Sequence, residues 1–482
     1  MASVLGKVII HIHKNTQSRR PPQVKYSKSE IMSRVYKIPD LKFEDQNLTS
    51  FAGLVIYQPL MLGLQIRNRL FHCFRHLNLS RIFGPHIIMM LLIVHLLIGY
   101  RKLRDLDYYR DDPMVKRLLG LNQMPDVSTV SRALSSIDNL SIDRVREVCR
   151  NLVIERLTKS AIYRITLDFD GSVFATQSRT TEGTAVGYNK KRKGARSYYP
   201  LFCTLAQTGQ VFDVYHRPGN VHDSHGAREF IRGCVKILQQ AIPWLKIEVR
   251  MDSAFFSDAT VSMLDEMSIE FTLSVPFERF VELKKRIQER ARWRSLDETW
   301  SFFEWAWKPK KWKKVYRFLF IRQRCAMIRK EPLQLDLFVP YEYGYEFKVI
   351  VTNKWASGKK ILRYHNGRAA QESVFGELKS QSQVDYIPVR GLLGNQLYML
   401  AAVLSHNLNR ELQMATRPPD RGTSEKRTTL WIFEELRSLR HRLIQRAGRF
   451  TNPQGNLTLT LSCNESVKAG LLNYLEAFEE AA

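Results

Sequence analysis

Apolar positions recur at helical spacing through residues 53–80, 87–100, 114–119, 127–137 and 142–157, so the chain is expected to be helical up to about residue 155. Within this region PMVKRLLG ends at a Gly stop, and PDVSTVSRALSSI opens with Asp126 placed as an N-cap. Two short helices joined by such a turn outline a helix-turn-helix. They would set Ser128, Thr129, Ser131 and Arg132 near the start of a recognition helix. Many helical bundles contain the same pair without contacting nucleic acid. At Tyr163 the period changes. YRITLDFDGSVF alternates, PLFCTLAQTGQVFDVYHR reads as a hairpin around Thr208-Gly209, and KIEVRMDS and IEFTLSV are further strands. Amphipathic helices are predicted over 225–240 and about 257–267, which makes an α/β unit with a mixed sheet.

Residues 280–355 break that rhythm. Trp293, Trp300, Trp305, Trp307 and Trp312 crowd together, followed by VYRFLFI and EYGYEFKVIVTN among many Lys and Arg, so a basic, β-rich insertion is expected. Helix returns from about 365 to 415. The tail carries a basic helix, WIFEELRSLRHRLIQRAGRF, with Arg437, Arg440, Arg442, Arg446 and Arg449, then a short strand and an amphipathic helix from about 465. The resulting divisions are 1–158, 159–279, 280–358, 359–415 and 416–482. No internal repeat or long low-complexity segment interrupts them.

Charge changes the picture. Seventy-four Lys and Arg against 47 Asp and Glu leave a formal net charge of +27, an excess that calls for an abundant polyanion, nucleic acid above all. A membrane is the other candidate, but Ile87–Tyr100 is shorter than the roughly 20 residues of a spanning helix, and His95 interrupts it. Pro85 before it and Gly99 near its end suit a buried helix. The opening MASVLGKVIIHIHKN lacks a sustained apolar run and a small-residue cleavage site, so no secretory signal is expected. Cys73, Cys149, Cys203, Cys234, Cys325 and Cys463 are scattered without a CxxC pair, which fits free thiols in a reducing cytoplasm.

Candidate chemistry lies in three acidic segments. Period two puts Asp168 and Asp170 of LDFDGS on one strand face, where two charges beside apolar neighbours need a cation. Asp252 ends the strand KIEVRM, where open α/β sheets place ligands. Taken alone, each aspartate also reads as an N-cap or turn residue. In RYHNGRAAQESVFGELKSQ, Arg368, Glu372 and Lys379 fall on one helical face at i, i+4 and i+11. In isolation that face is a salt-bridge ladder. Beside a metal site, Glu372 becomes a ligand, and Arg368 and Lys379 grip phosphates on either side of a cut.

The stretches LDFDGSVF, GYNKKRKGARSYYPLFC, RPGNVHDS, RMDSAFFS and YHNGRAAQESVFGELK, spread over 160–410, resemble the DDE transposases of bacterial insertion sequences, in the branch with a β-rich insertion between the second Asp and the Glu. That resemblance implies a ribonuclease-H-like α/β core, an all-helical DNA-binding region before it, and Asp170, Asp252 and Glu372 as catalytic metal ligands. It selects Asp170 over Asp168 because Asp170 precedes Gly-Ser, a choice that periodicity leaves open. Two Mg²⁺ ions per site, with Mn²⁺ as a substitute, follow from the family's chemistry. The family's Tyr, Arg, Glu, Lys signature falls on Tyr364, Arg368, Glu372 and Lys379, with the Tyr one residue further upstream than usual. Asn366-Gly367 suggests that this helix begins only near Arg368.

The basic run 188–193, with Lys190, Lys191, Arg192 and Lys193, and the nearby Arg196 read as a loop gripping double-stranded DNA beside the site, with a solvated charged loop as the alternative. His222 and Asp223 lie in an expected turn, the first a candidate phosphate donor. Trp305 and Trp307 share a strand face, and either one, or neither, would stack on a flipped base. The Arg-rich helix reads equally as a contact for a second end or the target and as a solvated basic face. The expected reaction frees a 3′ hydroxyl at an inverted end and joins it to target DNA, with a homodimer acting on paired ends. A cytoplasmic, nucleoid-associated protein is expected. Rival readings are a structure-specific nuclease on the same fold and a DNA-binding protein whose site has decayed.

Overall fold

The chain is described here from a computed structural model over residues 27–35, 38, 40–44, 46–77, 82–187, 189, 192–221, 225–324 and 345–480. The helical periodicity of the N-terminal third becomes real helices. These include α1 (Pro85–Leu97), α2 (Pro113–Leu119), α3 (Val127–Ser135) and α4 (Asn139–Lys159). The apolar run forms α1, buried almost all round. His95, the polar interruption, is accommodated inside by a 2.7 Å hydrogen bond between its Nδ1 and the Tyr109 hydroxyl. Among the described residues no helix is long and apolar enough to cross a membrane. Gly120 ends α2 in the left-handed region (φ 64°), and Asp126 caps α3 by accepting from the Thr129 amide at 2.6 Å.

Two expectations for this region are corrected. The single helix over 53–80 is two, Tyr57–Gly63 and Ile66–Phe74, parted where Gln65 takes a left-handed conformation. The region is also not all helix, because the short strand Leu48–Thr49 pairs with Gly448–Thr451 in the tail.

Among the described residues nine strands build one sheet. In chain order they are β1 (Arg164–Gly171), β2 (Leu201–Leu205), β3 (Val211–Tyr215), β4 (Lys246–Met251), β5 (Glu270–Val275), β6 (Arg294–Ser295), β7 (Trp300–Trp307), β8 (Tyr316–Arg324) and β9 (Tyr345–Thr352). Their spatial order is β6-β7-β8-β9-β5-β4-β1-β2-β3. β1, β2 and β3 run antiparallel in turn, while β4 and β5 lie parallel to β1. Gly209, at φ 61°, turns the β2–β3 hairpin where the sequence placed it. The β-rich insertion extends this sheet, since β9 pairs antiparallel with β5 and β8 and β7 follow.

Alternation decides which residues meet on each face. Leu167 and Phe169 of β1, Val249 and Met251 of β4, and Phe271 and Leu273 of β5 join one apolar core with α5 (Ala227–Ala241) and α6 (Asp258–Glu266). The opposite face carries Thr166, Asp168 and Asp170, then Glu248 and Arg250, then Thr272 and Ser274. That polar face is covered too, by α7 (Gly358–Asn366) and α8 (Ala369–Ser380). The helix expected from about 365 to 415 is therefore three, with α7 starting earlier and α9 (Leu392–Ala415) closing the series. α9 is buried along most of its length and shares the core of the N-terminal helices. α4 reaches the sheet through Arg146 and Arg150, which meet the buried Asp213 of β3 at 2.9 and 3.0 Å.

The basic helix expected over 431–449 is the largest departure. Only Leu436–Leu439 is α-helical. Arg440–Ile444 is a π turn, and Gly448–Thr451 is a strand. Arg440 points inward, and its guanidinium donates to the carbonyls of Leu96, Leu97 and Gln381. It satisfies the open C-terminal carbonyls of α1 and ties them to the turn after α8. Arg442 pairs with Glu434, and Arg446 donates to the carbonyls of His441 and Arg442. Replacing Arg440 by Met would leave buried carbonyls without donors and should cost about 3 kcal/mol, given roughly 1–3 kcal/mol per orphaned group. Chemical denaturation measures it, and a loss below about 1 kcal/mol would show that Arg440 does not cap α1.

Candidate active site

The polar face of the sheet is layered along the strands. Deepest, Glu248 of β4 is fully buried and receives Arg164, Lys354 and Arg427, with the Thr166 hydroxyl beside them. Against the cost of burial, Arg427 and Lys354 hold its carboxyl well below the usual carboxylate range. One pleat further on, Asp168 of β1 stands opposite Arg250 of β4. Both are buried, and the guanidinium grips the carboxylate through Nε and Nη2 at 2.6 Å each. Its remaining nitrogen, Nη1, donates to the carbonyls of Tyr364 and Lys426, both at 2.8 Å. The cation that Asp168 needs is thus a side chain of the protein, which makes Asp168 a structural residue.

One further pleat brings Asp170 to the C-terminal end of β1, while Asp252 follows the last residue of β4. Asp170 accepts from the Gly171 amide at 2.8 Å and from Nη1 of Arg368 at 3.1 Å. Burial pushes its carboxyl up to about 6, opposed by Arg368 and reinforced by the nearby charge of Asp252. Asp252 accepts from the Ala254 amide at 3.0 Å, so its turn-capping and its place at the strand end coexist. Two carboxylates held close at the rim, one of them poorly solvated, form an oxygen donor pair suited to a hard divalent cation.

Arg368 immediately precedes α8. Gln371, the buried residue beside Glu372, donates from Nε2 to the Asp168 carbonyl at 2.9 Å and pins the helix to β1. Further along, Glu377 forms a buried ion pair with Arg410 of α9. Glu372 is exposed on the first turn of α8. Among the described residues no group of three or more His, Cys, Asp or Glu side chains converges to hold a metal, so Asp170 and Asp252 are brought together without Glu372. Lys379 lies nearly two turns beyond Glu372, its ammonium 5.8 Å from the Phe174 ring.

Tyr364 requires a correction as a DNA contact. Its ring is only 2% exposed and is surrounded by cations, with Lys354 at 4.5 Å, Arg250 at 5.2 Å and Arg427 at 5.7 Å from its centre. The one-residue displacement from the family pattern is the sequence signal that marked it. The turn after it admits only glycine, because a methyl group on Gly367 would collide with the Lys426 carbonyl and with Arg250.

In the basic loop, Arg192 and Lys193 are exposed, whereas Arg196 turns back to bond the hydroxyl and carbonyl of Thr184. Tyr188, Lys190, Lys191, His222 and Asp223 lie outside the described residues. Ser128 and Arg132 are exposed on α3, Arg132 folding back toward the Ser128 carbonyl at 3.3 Å. Of the paired tryptophans, Trp307 is buried and donates to Glu282 at 2.7 Å, while Trp305 is half-buried with Arg286 4.4 Å from its ring centre. Arg250 and Gln371 were not singled out in the sequence. Arg250 was detectable as a charge placed at a core-strand position two residues before Asp252.

The rim thus brings together two carboxylates, Asp170 and Asp252, with Arg368 just before the adjoining helix and Lys379 on it, a set of groups that could serve metal-assisted chemistry on a phosphate backbone. The chain belongs to the family described as "Transposase DDE domain group 1", which matches residues 35–481. It is a transposase, a metal-dependent enzyme that cleaves and joins DNA. No curated protein matches it. Among solved structures it is similar to the piggyBac transposase synaptic complex with hairpin DNA, at 10% identity and a TM-score of 0.41, covering 80% of this chain and 79% of that one. It is also similar to the Mos1 transposase paired-end complex with left transposon end, at 14% identity and a TM-score of 0.17, covering 34% and 55%.

The two aspartates of β1 should respond oppositely to neutralisation. Asp168→Asn leaves Arg250 buried without its carboxylate and should cost roughly 3 kcal/mol of stability. Asp170→Asn removes a charge that burial disfavours, so in metal-free buffer at neutral pH it should leave the melting temperature unchanged or raised. Thermal melts of both variants decide this, and a strongly destabilised Asp170→Asn would show that the assignment is reversed.

Proposed function

We propose that Asp170, Asp252 and Glu372 are the catalytic triad, and that they act on the inverted ends of the mobile element and on target DNA. The placement of Asp170 and Asp252 at the C-terminal ends of the neighbouring parallel strands β1 and β4 carries this reading. The spatial order β3-β2-β1-β4-β5, with β2 alone antiparallel to its neighbours, supports a ribonuclease-H-like core in 159–279 and 359–415. Within that reading 280–358 is an insertion into the core, 1–158 is the DNA-binding region and 416–482 is a basic C-terminal region. A homodimer holding two ends, in the bacterial cytoplasm and on the nucleoid, completes it.

The donor set favours Mg²⁺, with Mn²⁺ as a substitute, because every proposed ligand is a carboxylate oxygen. Two such ions, when bound, would activate the attacking oxygen and stabilise the leaving one. Asp170 and Asp252 would hold them from the sheet, and Glu372 from α8. Gln371 fixes the distance between helix and strand by its bond to the Asp168 carbonyl. Arg368, which bonds Asp170 at 3.1 Å, and Lys379, further along the helix, are the cations that would hold phosphate oxygens of the DNA backbone on either side of the cut.

Cleavage of a duplex carrying the element's own end, followed by joining to a plasmid, tests the triad. Asp170→Ala, Asp252→Ala and Glu372→Ala should each lower Mg²⁺-dependent cleavage by roughly 10³-fold or more while end binding survives. Persistent cleavage in any one of them removes that residue from the site. End recognition by α3 is tested separately. Arg132→Ala should weaken binding to the end by about tenfold and leave binding to unrelated DNA nearly unchanged, as loss of a base contact does. An equal loss on both DNAs would make Arg132 a phosphate contact only.

A further inference from the structure

The C-terminal rim that carries Asp170 and Asp252 continues past β5 to β9. In the β5–β9 pairing Val349 stands opposite Val275, the last residue of β5, so Lys348 projects one position beyond the end of β5. By alternation Lys348 shares its face with Ile350, which packs against Ile361 and Leu362 of α7. This is the face of Ser274 and Thr272, both bonded to His365 at 2.9 Å, and of Arg250 and the two aspartates. Asp170, Asp252 and Lys348 therefore lie along a single rim of one sheet face, in the order β1, β4, β9, with β5 between the last two.

Lys348 has the marks of a charge that expects a partner. It is half-buried, and among the described residues no carboxylate pairs with it. Its one hydrogen bond there, to Oδ1 of Asn366, is long at 3.4 Å. An ammonium has three donors, so this bond leaves capacity for more. Asn366 is two residues before Arg368, and the two cations sense each other: burial first, and Arg368 second, bring the Lys348 ammonium down to about 8. Two cations this close on a half-buried rim repel unless an anion joins them. Arg368 has Asp170, whereas Lys348 has only a neutral amide.

We propose that Lys348 is a DNA-backbone contact, in which the insertion strand β9 binds a phosphate flanking the cut on the same strand that runs past Asp252 and Asp170. The inference rests on the reading of the rim as the active site. Strands lie about 4.8 Å apart, so three steps from β1 to β9 span about 14 Å. One strand of B-DNA carries a phosphate every ~3.4 Å along its axis, so the contact falls within about four nucleotides of the cut. The extended sheet thereby acquires a purpose: β9 is joined edge to edge to the catalytic core, and its lysine is held in register with the catalytic carboxylates. A lysine, with one mobile point charge, suits a phosphate whose position shifts between cleavage and joining better than a bidentate arginine does.

The test uses the full chain with Lys348→Gln and Lys348→Arg, and a duplex of the element's own end in which single phosphates at positions one to four from the cut are neutral methylphosphonates. Lys348→Gln should weaken binding about fivefold or more near 0.1 M salt and reduce the slope of log affinity against log salt by about one. Lys348→Arg should restore the slope. One methylphosphonate position should cost the wild type the same factor and cost Lys348→Gln nothing further, a coupling that a merely structural lysine would not produce. Wild-type affinity and slope in Lys348→Gln, with wild type binding well, would overturn the role of Lys348 alone. Loss without coupling to any of the four phosphates would likewise overturn it. A wild type that binds its own end no better than unrelated DNA and never cuts it would instead overturn the reading of the rim, and this contact with it.

Discussion

The buried bond between Asp168 and Arg250 is the constraint on which the rest of the structure depends. It joins β1 to β4 through a bidentate pair and joins both to the returning chain through the carbonyls of Tyr364 and Lys426. A charge pair taken out of water is costly, and hydrophobic residues of similar volume would often pack as well. What an ion pair adds is direction. The guanidinium fork fits the carboxylate in one plane, so the two strands cannot slip relative to each other without breaking charged bonds. A one-residue slip would send Asp170 or Asp252 to the opposite face, among the aliphatic side chains of the apolar core.

From that pair outward the polar face is arranged as a gradient of solvation. Glu248 is encircled by cations, Asp168 is matched by one, and Asp170 shares Arg368 with solvent and with the repulsion of Asp252. Each step toward the rim leaves a carboxylate less compensated by the protein. Uncompensated charge of this kind marks a candidate ligand site, and it accumulates here at the strand ends rather than in the interior. The ring of Tyr364 lies among three of these cations, Lys354, Arg250 and Arg427.

Much of this was legible in the sequence because alternation and helical period are local. The strands holding Asp170 and Asp252, the Gly209 hairpin, the Asp126 cap and the helix carrying Glu372 all follow from neighbours within a turn or a pleat. The failures share a different cause. Arg440 looked like one cation of a solvated helix, yet it closes the end of a helix 343 residues away in sequence. Tyr364 looked like a surface residue of a motif, yet its environment is made by Arg250 and Arg427, remote along the chain, together with Lys354 from the connection after β9. The choice between Asp168 and Asp170, left open by periodicity and made by the family resemblance, gains a physical reason from the partner strand, whose register places Arg250 opposite the former. Long-range polar contacts leave no periodic trace.

The exposed position of Glu372 follows from how α8 is anchored. The helix is fastened at Gln371 to the Asp168 carbonyl and at Glu377 to Arg410, so its buried side is fixed while the first-turn face that carries Glu372 stays open. Arg368, just before the same helix, bonds the Asp170 carboxylate, the one proposed as a metal ligand. A cation-for-cation exchange at Asp170 would free Arg368 for a phosphate at the moment when the negative charge of DNA arrives. Anchoring by the layer below makes that exchange local. The strands and α8 need not move as units, because their register is set one pleat deeper, by the Asp168–Arg250 pair and the bond of Gln371 to the Asp168 carbonyl.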